Sequence, residues 1–136
     1  MHIDPQRSQF EAFKNLDRDQ PVCMLNLVRL NEDVVYPDGE RTSGTEAYRR
    51  YGEASAPIFT EVGGEILFSG SPQNVLIGPL DEAWDIAFIA KYPAANAFLA
   101  MVTDARYRAI VHHRQLAVAD SRLIRLAERS GGRAFG

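Results

Sequence analysis

Only one cysteine, Cys23, stands among the 136 residues. A lone thiol excludes an intrachain disulfide and any thiolate cluster around a metal. No apolar run approaches the roughly 20 residues needed to span a bilayer. The opening residues, Met1-His2-Ile3-Asp4-Pro5, lack the basic and apolar regions of a secretory signal. Basic charge is not massed either: 15 Lys and Arg are scattered among 18 Asp and Glu, for a net charge of -3. Duplex nucleic acid and membrane surfaces need clustered basic residues, so neither partner is expected. Gly-x-Gly-x-x-Gly, a phosphate-cradling Gly-Lys-Ser/Thr and a Gly-x-Ser-x-Gly elbow are all missing. Nucleotide enzymes and serine hydrolases therefore drop down the list, and no cofactor is expected. What is left is a cytoplasmic protein with enough interior to fold as one domain.

The patterning predicts a leading helix over residues 5–16. Asp4 suits its N-cap, Pro5 its first position, and Phe10, Phe13 and Leu16 recur at helical spacing. Residues 22–30 are nearly all apolar, as in a strand covered on both faces, with Asn26 and Arg29 as the polar exceptions. A polar loop follows over 32–42, with Tyr36-Pro37-Asp38-Gly39 as its turn. Ser43-Gly44-Thr45-Glu46 reads as a capping box that opens a helix, with Pro57 set to kink or break it and Gly63-Gly64 to end it. Short strands are expected at 65–69, 73–77 and 84–91. A second helical region starts at Pro93 and is re-initiated at Thr103-Asp104. A last strand covers 121–127, and the tail beyond it is loose.

Setting the leading helix aside, the order is β-α-β-β-α-β, the ferredoxin-like pattern of an α+β fold. Residues 1–20 would be a helical extension, 21–127 the core and 128–136 the tail. Within the core, Tyr36-Pro37-Asp38-Gly39, Ser43-Gly44, Ala47-Tyr48, Tyr51-Gly52, Val62-Gly63-Gly64, Trp84-Asp85 and Tyr92-Pro93 stand in a particular order. The run Met101-Val102-Thr103-Asp104-Ala105-Arg106-Tyr107, then His112-His113-Arg114 and Asp120-Ser121-Arg122-Leu123, continue it. Together they resemble the family known as domain of unknown function 1330, over roughly residues 21 to 127. The resemblance implies a dimeric α/β barrel, in which two ferredoxin-like sheets pack face to face and each subunit encloses a pocket. A homodimer is therefore expected. Relatives of this architecture include cofactor-free monooxygenases, lactone isomerases, stress-responsive proteins and haem-binding dismutases, so the chemistry stays open.

Candidate site residues follow from helix and strand faces. His112 and His113 diverge by about 100° on a helix and do not chelate one ion, so no metal site is expected. Counted from Ile110, His113 borders the apolar stripe, where it would face the sheet as a general base. Alternatively it anchors its helix to a backbone carbonyl. Arg114 either binds a ligand carboxylate in a fork or pairs with Asp85 or Asp120. Tyr48, Tyr51, Trp84 and Tyr107 have apolar bodies and polar tips suited to a ligand pocket, although such residues are also ordinary core. Asn26 lies mid-strand on the face of Met24 and Val28, where it orients a ligand or bonds neighbouring backbone. Cys23, on the opposite face, is inert core.

Two functions compete. One is a small-molecule pocket protein, with cofactor-free oxygenation or isomerisation of a small carbonyl or phenolic compound and His113 as the proton acceptor. The other is a non-catalytic dimeric binding or stress-associated module. Haem ligation through His113 is a third reading.

Overall fold

Nine consecutive residues, Val22–Leu30, form the central strand β1 of a four-stranded sheet. In the computed structural model, which describes residues 1–130 and 134–135, β1 is hydrogen-bonded along both edges. Helix α1 (Arg7–Asn15) precedes it, and the short strands β2 (Asp33–Val35) and β3 (Arg41–Ser43) follow. Next come α2 (Gly44–Glu61), β4 (Glu65–Gly70) and β5 (Ile86–Tyr92). Helices α3 (Ala95–Thr103), α4 (Ala105–Ile110) and α5 (His112–Ala117) lead into β6 (Val118–Leu126). The sheet order is β4-β5-β1-β6, with every neighbouring pair antiparallel. This is the ferredoxin-like arrangement, an α+β fold with an added helix in front.

Alternation along β1 sorts its side chains. Val22, Met24 and Val28 are buried on one face, and Val22 and Met24 pack there with Ile58, Ala90, Tyr92 and Met101. Cys23, Leu25 and Leu27 point to the other face and are only half-buried. Full cover on both faces, expected from the apolar run, is thus not met: among the described residues no helix covers those side chains, which stay half-buried.

Local signals decide most boundaries. The Ser43 hydroxyl accepts the Glu46 amide at 3.0 Å and starts α2. The return arm of the expected capping box is not made, because the Glu46 carboxylate turns to Arg49 and Arg50 instead. Helix α2 continues through Pro57, so the expected break does not occur, and it ends where Gly63 adopts φ +86. Asp104 caps α4 as predicted, accepting the Arg106 amide at 2.8 Å. In α1 the N-cap is Gln6 rather than Asp4, and the Gln6 amide donates to Gln9 Oε1 at 3.3 Å.

Three segments depart further from the sequence reading. The polar loop over 32–42 carries the β2–β3 hairpin, anchored by Val34 and Tyr36, which are buried against Ala47 and Ala117. Residues 73–77 form no strand. They run between Pro72 and Pro79 with no ladder, and Leu76 and Ile77 are 89% and 93% exposed. Strand β6 begins at Val118, three residues earlier than expected, so Val118 belongs to the sheet. The loose tail expected after 127 falls partly on 131–133 and 136, outside the described residues. Among the described residues no helix is long and apolar enough to cross a membrane.

Gly44 marks the tightest backbone approach. A Cβ built there would sit 2.0 Å from the Asn31 carbonyl oxygen. Asn31 has little room to yield, because its amide donates to the Ala117 carbonyl at 2.8 Å and its side chain to that of Leu116 at 3.0 Å. Gly44→Ala is therefore expected to destabilise the fold by about 1–3 kcal/mol, read as a fall in the urea midpoint. An unchanged midpoint would show that the Asn31 turn gives way freely.

Candidate functional site

Between the helix-facing side of the sheet and helices α2, α3 and α4 lies a cavity of roughly 1230 Å³. Its floor follows from strand alternation and register. Asn26 lies opposite Phe88 on β5 and Leu123 on β6, and Met24 opposite Ala90 and Arg125. All six residues line the cavity. Its wall comes from α2, where Tyr48, Tyr51 and Ser55 share one side at helical spacing, and from Tyr107 of α4 and Arg114 of α5. Residues of the amino-terminal segment, among them Ile3, Asp4, Phe10 and Phe13, complete the lining.

That segment is stitched to the sheet through its backbone. The His2 amide donates to Asp120 at 2.8 Å, and the Ser121 hydroxyl donates to the His2 carbonyl at 2.7 Å. Arg114 donates to the Ile3 carbonyl at 2.5 Å, and Arg125 to those of Phe13 and Asp17 at 3.2 and 2.5 Å. Phe13 adds a ring contact with Phe98, 5.1 Å between centroids.

The tyrosines form a connected group. The hydroxyls of Tyr51 and Tyr107 are hydrogen-bonded at 2.9 Å, and the rings of Tyr48 and Tyr51 lie 5.5 Å apart. Burial pushes the Tyr48 phenol up to about 12, with the Arg114 charge pulling the other way. Burial raises Tyr51 well above its ordinary value, helped by Tyr107, and also raises Tyr107 against the opposing pull of Tyr51 and Arg114. All three hydroxyls thus keep their protons at neutral pH, and one of the Tyr51–Tyr107 pair donates to the other. Asn26 donates to the Met24 carbonyl of its own strand at 3.1 Å. Among the described residues nothing donates to its amide oxygen, which leaves an acceptor on the cavity floor.

Asn26, Tyr48, Tyr51, Tyr107 and Arg114, each proposed from the sequence, line this one cavity. Trp84 and His113 do not. Trp84 stands just before β5 with the Arg122 guanidinium 5.1 Å from its ring. His113 turns to the β2–β3 hairpin, where its Nδ1 lies 2.7 Å from the hydroxyl of buried Tyr36. The expectation that His113 faces the sheet is thereby corrected, and so is its anchoring to a backbone carbonyl. Burial, His112 and Arg50 hold its pKa below the ordinary histidine value, so it is neutral and suited to accept the Tyr36 proton. A haem ligand is needed inside the cavity, and His113 does not fit that role. Arg114 pairs with neither Asp85 nor Asp120. Asp85 accepts the Leu30 amide at 2.7 Å, and Asp120 is taken by Arg122 at 3.0 Å.

Ser121 and Arg125 are cavity residues that the sequence reading passed over. Period-two alternation through Leu123 of β6 places both on the face of Asn26. The contribution of residues 2–13 carries no comparable signal in the sequence. Among the described residues no group of three or more His, Cys, Asp or Glu is placed to hold a metal.

The model of domain of unknown function 1330 matches residues 41–127. The chain belongs to this family. A protein of unknown function from Rhodopseudomonas palustris is 49% identical, with a TM-score of 0.90 over 96% of this chain and 98% of that one. A cofactor-independent oxygenase from Streptomyces nogalater has a TM-score of 0.54 at 12% identity, covering 82% of this chain and 96% of its own. A dimeric ferredoxin-like protein of unknown function from Thermobifida fusca has 0.52 at 19%, covering 84% and 97%. The last two similarities are likenesses of fold. No curated protein matches the chain.

Two measurements probe the tyrosine wall. Tyr107→Phe removes the partner of the Tyr51 hydroxyl and should cost about 1–3 kcal/mol in chemical denaturation; a smaller loss means that the Tyr51 hydroxyl finds another partner. Alkaline titration tests the raised phenols. Below pH 10, folded and unfolded chains hold these protons equally, so stability is unaffected. Between the ordinary value of 10 and about 12 for Tyr48, the unfolded chain releases protons that the folded chain keeps, and stability falls as pH rises. Tyrosinate absorbance should therefore appear late and together with unfolding. Early ionisation of several tyrosines in the folded protein would contradict this wall.

Proposed function

We propose that this chain is a homodimeric small-molecule pocket protein that acts, without a cofactor, as an oxygenase or isomerase on a small carbonyl or phenolic compound. The carrying observation is the convergence of three protonated tyrosine hydroxyls, the Asn26 amide oxygen and the Arg114 guanidinium on one largely apolar cavity. Few, well-placed polar groups in an apolar cleft are the usual composition of a ligand site. Donors and a cation in such a site stabilise negative charge growing on a substrate oxygen, as in an enolate or phenolate. Once the substrate has given its proton to solvent, the anion either takes a proton back at another carbon, an isomerisation, or gives electrons to dioxygen, an oxygenation. The fold shared with a cofactor-independent oxygenase is compatible with this chemistry and does not identify the substrate.

The dimer is supported by the second face of the sheet. Phe68 is 64% exposed, Ile124 46% and Leu126 36%, and they lie beside half-buried Leu25, Leu27 and Ile89. An apolar sheet face of this kind calls for a partner surface, and ferredoxin-like neighbours at low identity are dimeric.

One observation favours a second reading, a binding module without catalysis. With His113 outside the cavity, the carboxylate in its lining is Asp4, which accepts bonds from Gln115 at 3.3 and 3.4 Å. Among the described residues the lining then holds no unengaged carboxylate, and its one histidine, His2, is exposed to water.

Native mass spectrometry of freshly purified protein, repeated after denaturation, tests the proposal. A species near twice 15.2 kDa is expected, with any retained ligand lost on denaturation. Oxygen uptake or product formation with a panel of small phenols and β-dicarbonyl compounds then separates enzyme from binder. A monomer that takes up no apolar probe would overturn the pocket reading, and binding without turnover would establish the module.

A further inference from the structure

The lining of the cavity is electrically lopsided. Arg108, Arg114, Arg122 and Arg125 contribute to it against one carboxylate, Asp4, in a chain whose net charge is -3. The four guanidiniums are not equivalent. Arg122 is neutralised by Asp120 at 3.0 Å and Glu82 at 3.7 Å. Arg108 is exposed to water. Arg125 is spent on the Phe13 and Asp17 carbonyls, with its guanidinium over the Phe13 ring. Arg114 is half-buried, and its bonds go to two neutral oxygens, the Ile3 carbonyl and the Ser121 hydroxyl at 3.3 Å. Two of the five N–H groups of its guanidinium are so engaged. Among the described residues it has no ion-pair partner.

A second group beside it is also unmet. The Tyr48 hydroxyl lines the same cavity, feels the Arg114 charge, and has no hydrogen-bond partner among the described residues. A partly desolvated cation and a protonated phenol, both facing one cavity, lack an acceptor that carries negative charge. Guanidinium forks match carboxylates in geometry as well as charge. The neighbouring Met24, Phe88 and Phe98 are apolar or aromatic and offer nothing to a second charged group.

We infer that the cavity takes an organic monocarboxylate on an aromatic or branched apolar body, with the carboxylate held by Arg114 and the Tyr48 hydroxyl. This deepens the pocket reading above and rests on it. Arg114 is then the specificity residue, choosing acids over their neutral analogues, while the apolar floor accepts the body. The excess positive charge in the lining also draws anions in preference to neutral compounds of equal shape.

Titration calorimetry on the full chain near neutral pH tests the inference with benzoate and phenylacetate against benzamide and phenylacetamide. A neutral fluorescent probe, N-phenyl-1-naphthylamine, reports entry into the cavity independently. The acids should bind at least about tenfold more tightly than the amides, given the strength of hydrogen bonds to charged groups. Arg114→Gln should weaken the acids by about ten- to a hundredfold and leave the amides and the neutral probe nearly unchanged. Arg114→Lys should recover part of the loss, since the charge returns without the fork. Tyr48→Phe should weaken the acids by a smaller factor. Because Arg114 also holds the Ile3 carbonyl, the amide spectrum of each variant checks its fold, and the acid-to-amide comparison on the unaltered protein needs no variant. Equal binding of acids and amides overturns the inference while the pocket stands. Failure of acids, amides and neutral probe alike overturns both.

Discussion

Strand β1 is hydrogen-bonded to β5 on one edge and β6 on the other, and the position of nearly every side chain discussed above depends on that double ladder. A strand held on both sides cannot slip by one residue without reversing every side chain, so its alternation is a rigid rule for the sheet. Three of its helix-facing residues, Val22, Met24 and Val28, obey that rule by burial. The fourth, Asn26, is the exception, and it lies at the level where β5 supplies Phe88 and β6 supplies Leu123. Helices packed tightly on this spot would bury an amide oxygen with no donor, at a cost of about 1–3 kcal/mol. Here α2 and α4 present tyrosines: Tyr51 and Tyr107 join their hydroxyls, and the hydroxyl of Tyr48 has no partner among the described residues. A polar floor and a wall of phenols leave a cavity where an all-apolar design would close.

The cavity is finished by a segment with little hold of its own. Helix α1 has no fully buried residue. The segment is held largely by backbone carbonyls of His2, Ile3, Phe13 and Asp17 accepting from Ser121, Arg114 and Arg125, with the Phe13–Phe98 contact and the bonds of His2 to Asp120 and of Gln115 to Asp4 beside them. The donors belong to α5 and β6, so the cavity-facing residues of those elements have two duties. They fasten the segment through neutral oxygens and keep their charge unneutralised. A carboxylate at Ile3 in place of a carbonyl would have spent the Arg114 charge within the fold. The neutral acceptor leaves that charge available to something else.

Sequence and structure agree best where the signal is local. The apolar run of β1, the Ser43 and Asp104 caps and the glycine stop after α2 are each written in a few adjacent residues. Agreement fails where the deciding partner is distant. The helical phase of His113 was counted from Ile110, but α4 ends at Ile110 and α5 restarts at His112, which breaks the count. The β2–β3 hairpin holds its place through Tyr36, whose hydroxyl meets a ring 77 residues away. The Arg114 partner, Ile3, is separated from it by 111 residues and lies in a segment with no distinguishing pattern. Residues 73–77 are apolar enough to form a strand, yet no free edge of the sheet receives them. Of the proposed site, the face of α2 and the polar exception in β1 were readable, because both follow from period alone. The side to which α5 turns was not.

The two faces of the sheet carry separate parts of the functional reading. The helix-facing side forms its cavity from one chain, so every residue assigned to the carboxylate, Arg114 and Tyr48 included, comes from the same copy. The opposite side, with Phe68, Ile124 and Leu126 exposed, is where the proposed second copy would pack. Cys23, Leu25 and Leu27 of β1 point to that side, while Met24 and Asn26 point to the cavity. Packing of a second sheet on the open face would therefore press on the strand whose next residues floor the ligand site. It would cover apolar side chains and stiffen β1, and it would meet the cavity lining at Ile124. In the proposed arrangement the dimer stabilises the floor and the amino-terminal segment closes the site, and the choice of ligand falls to Arg114, a half-buried guanidinium whose bonds leave N–H groups free and which has no ion-pair partner among the described residues.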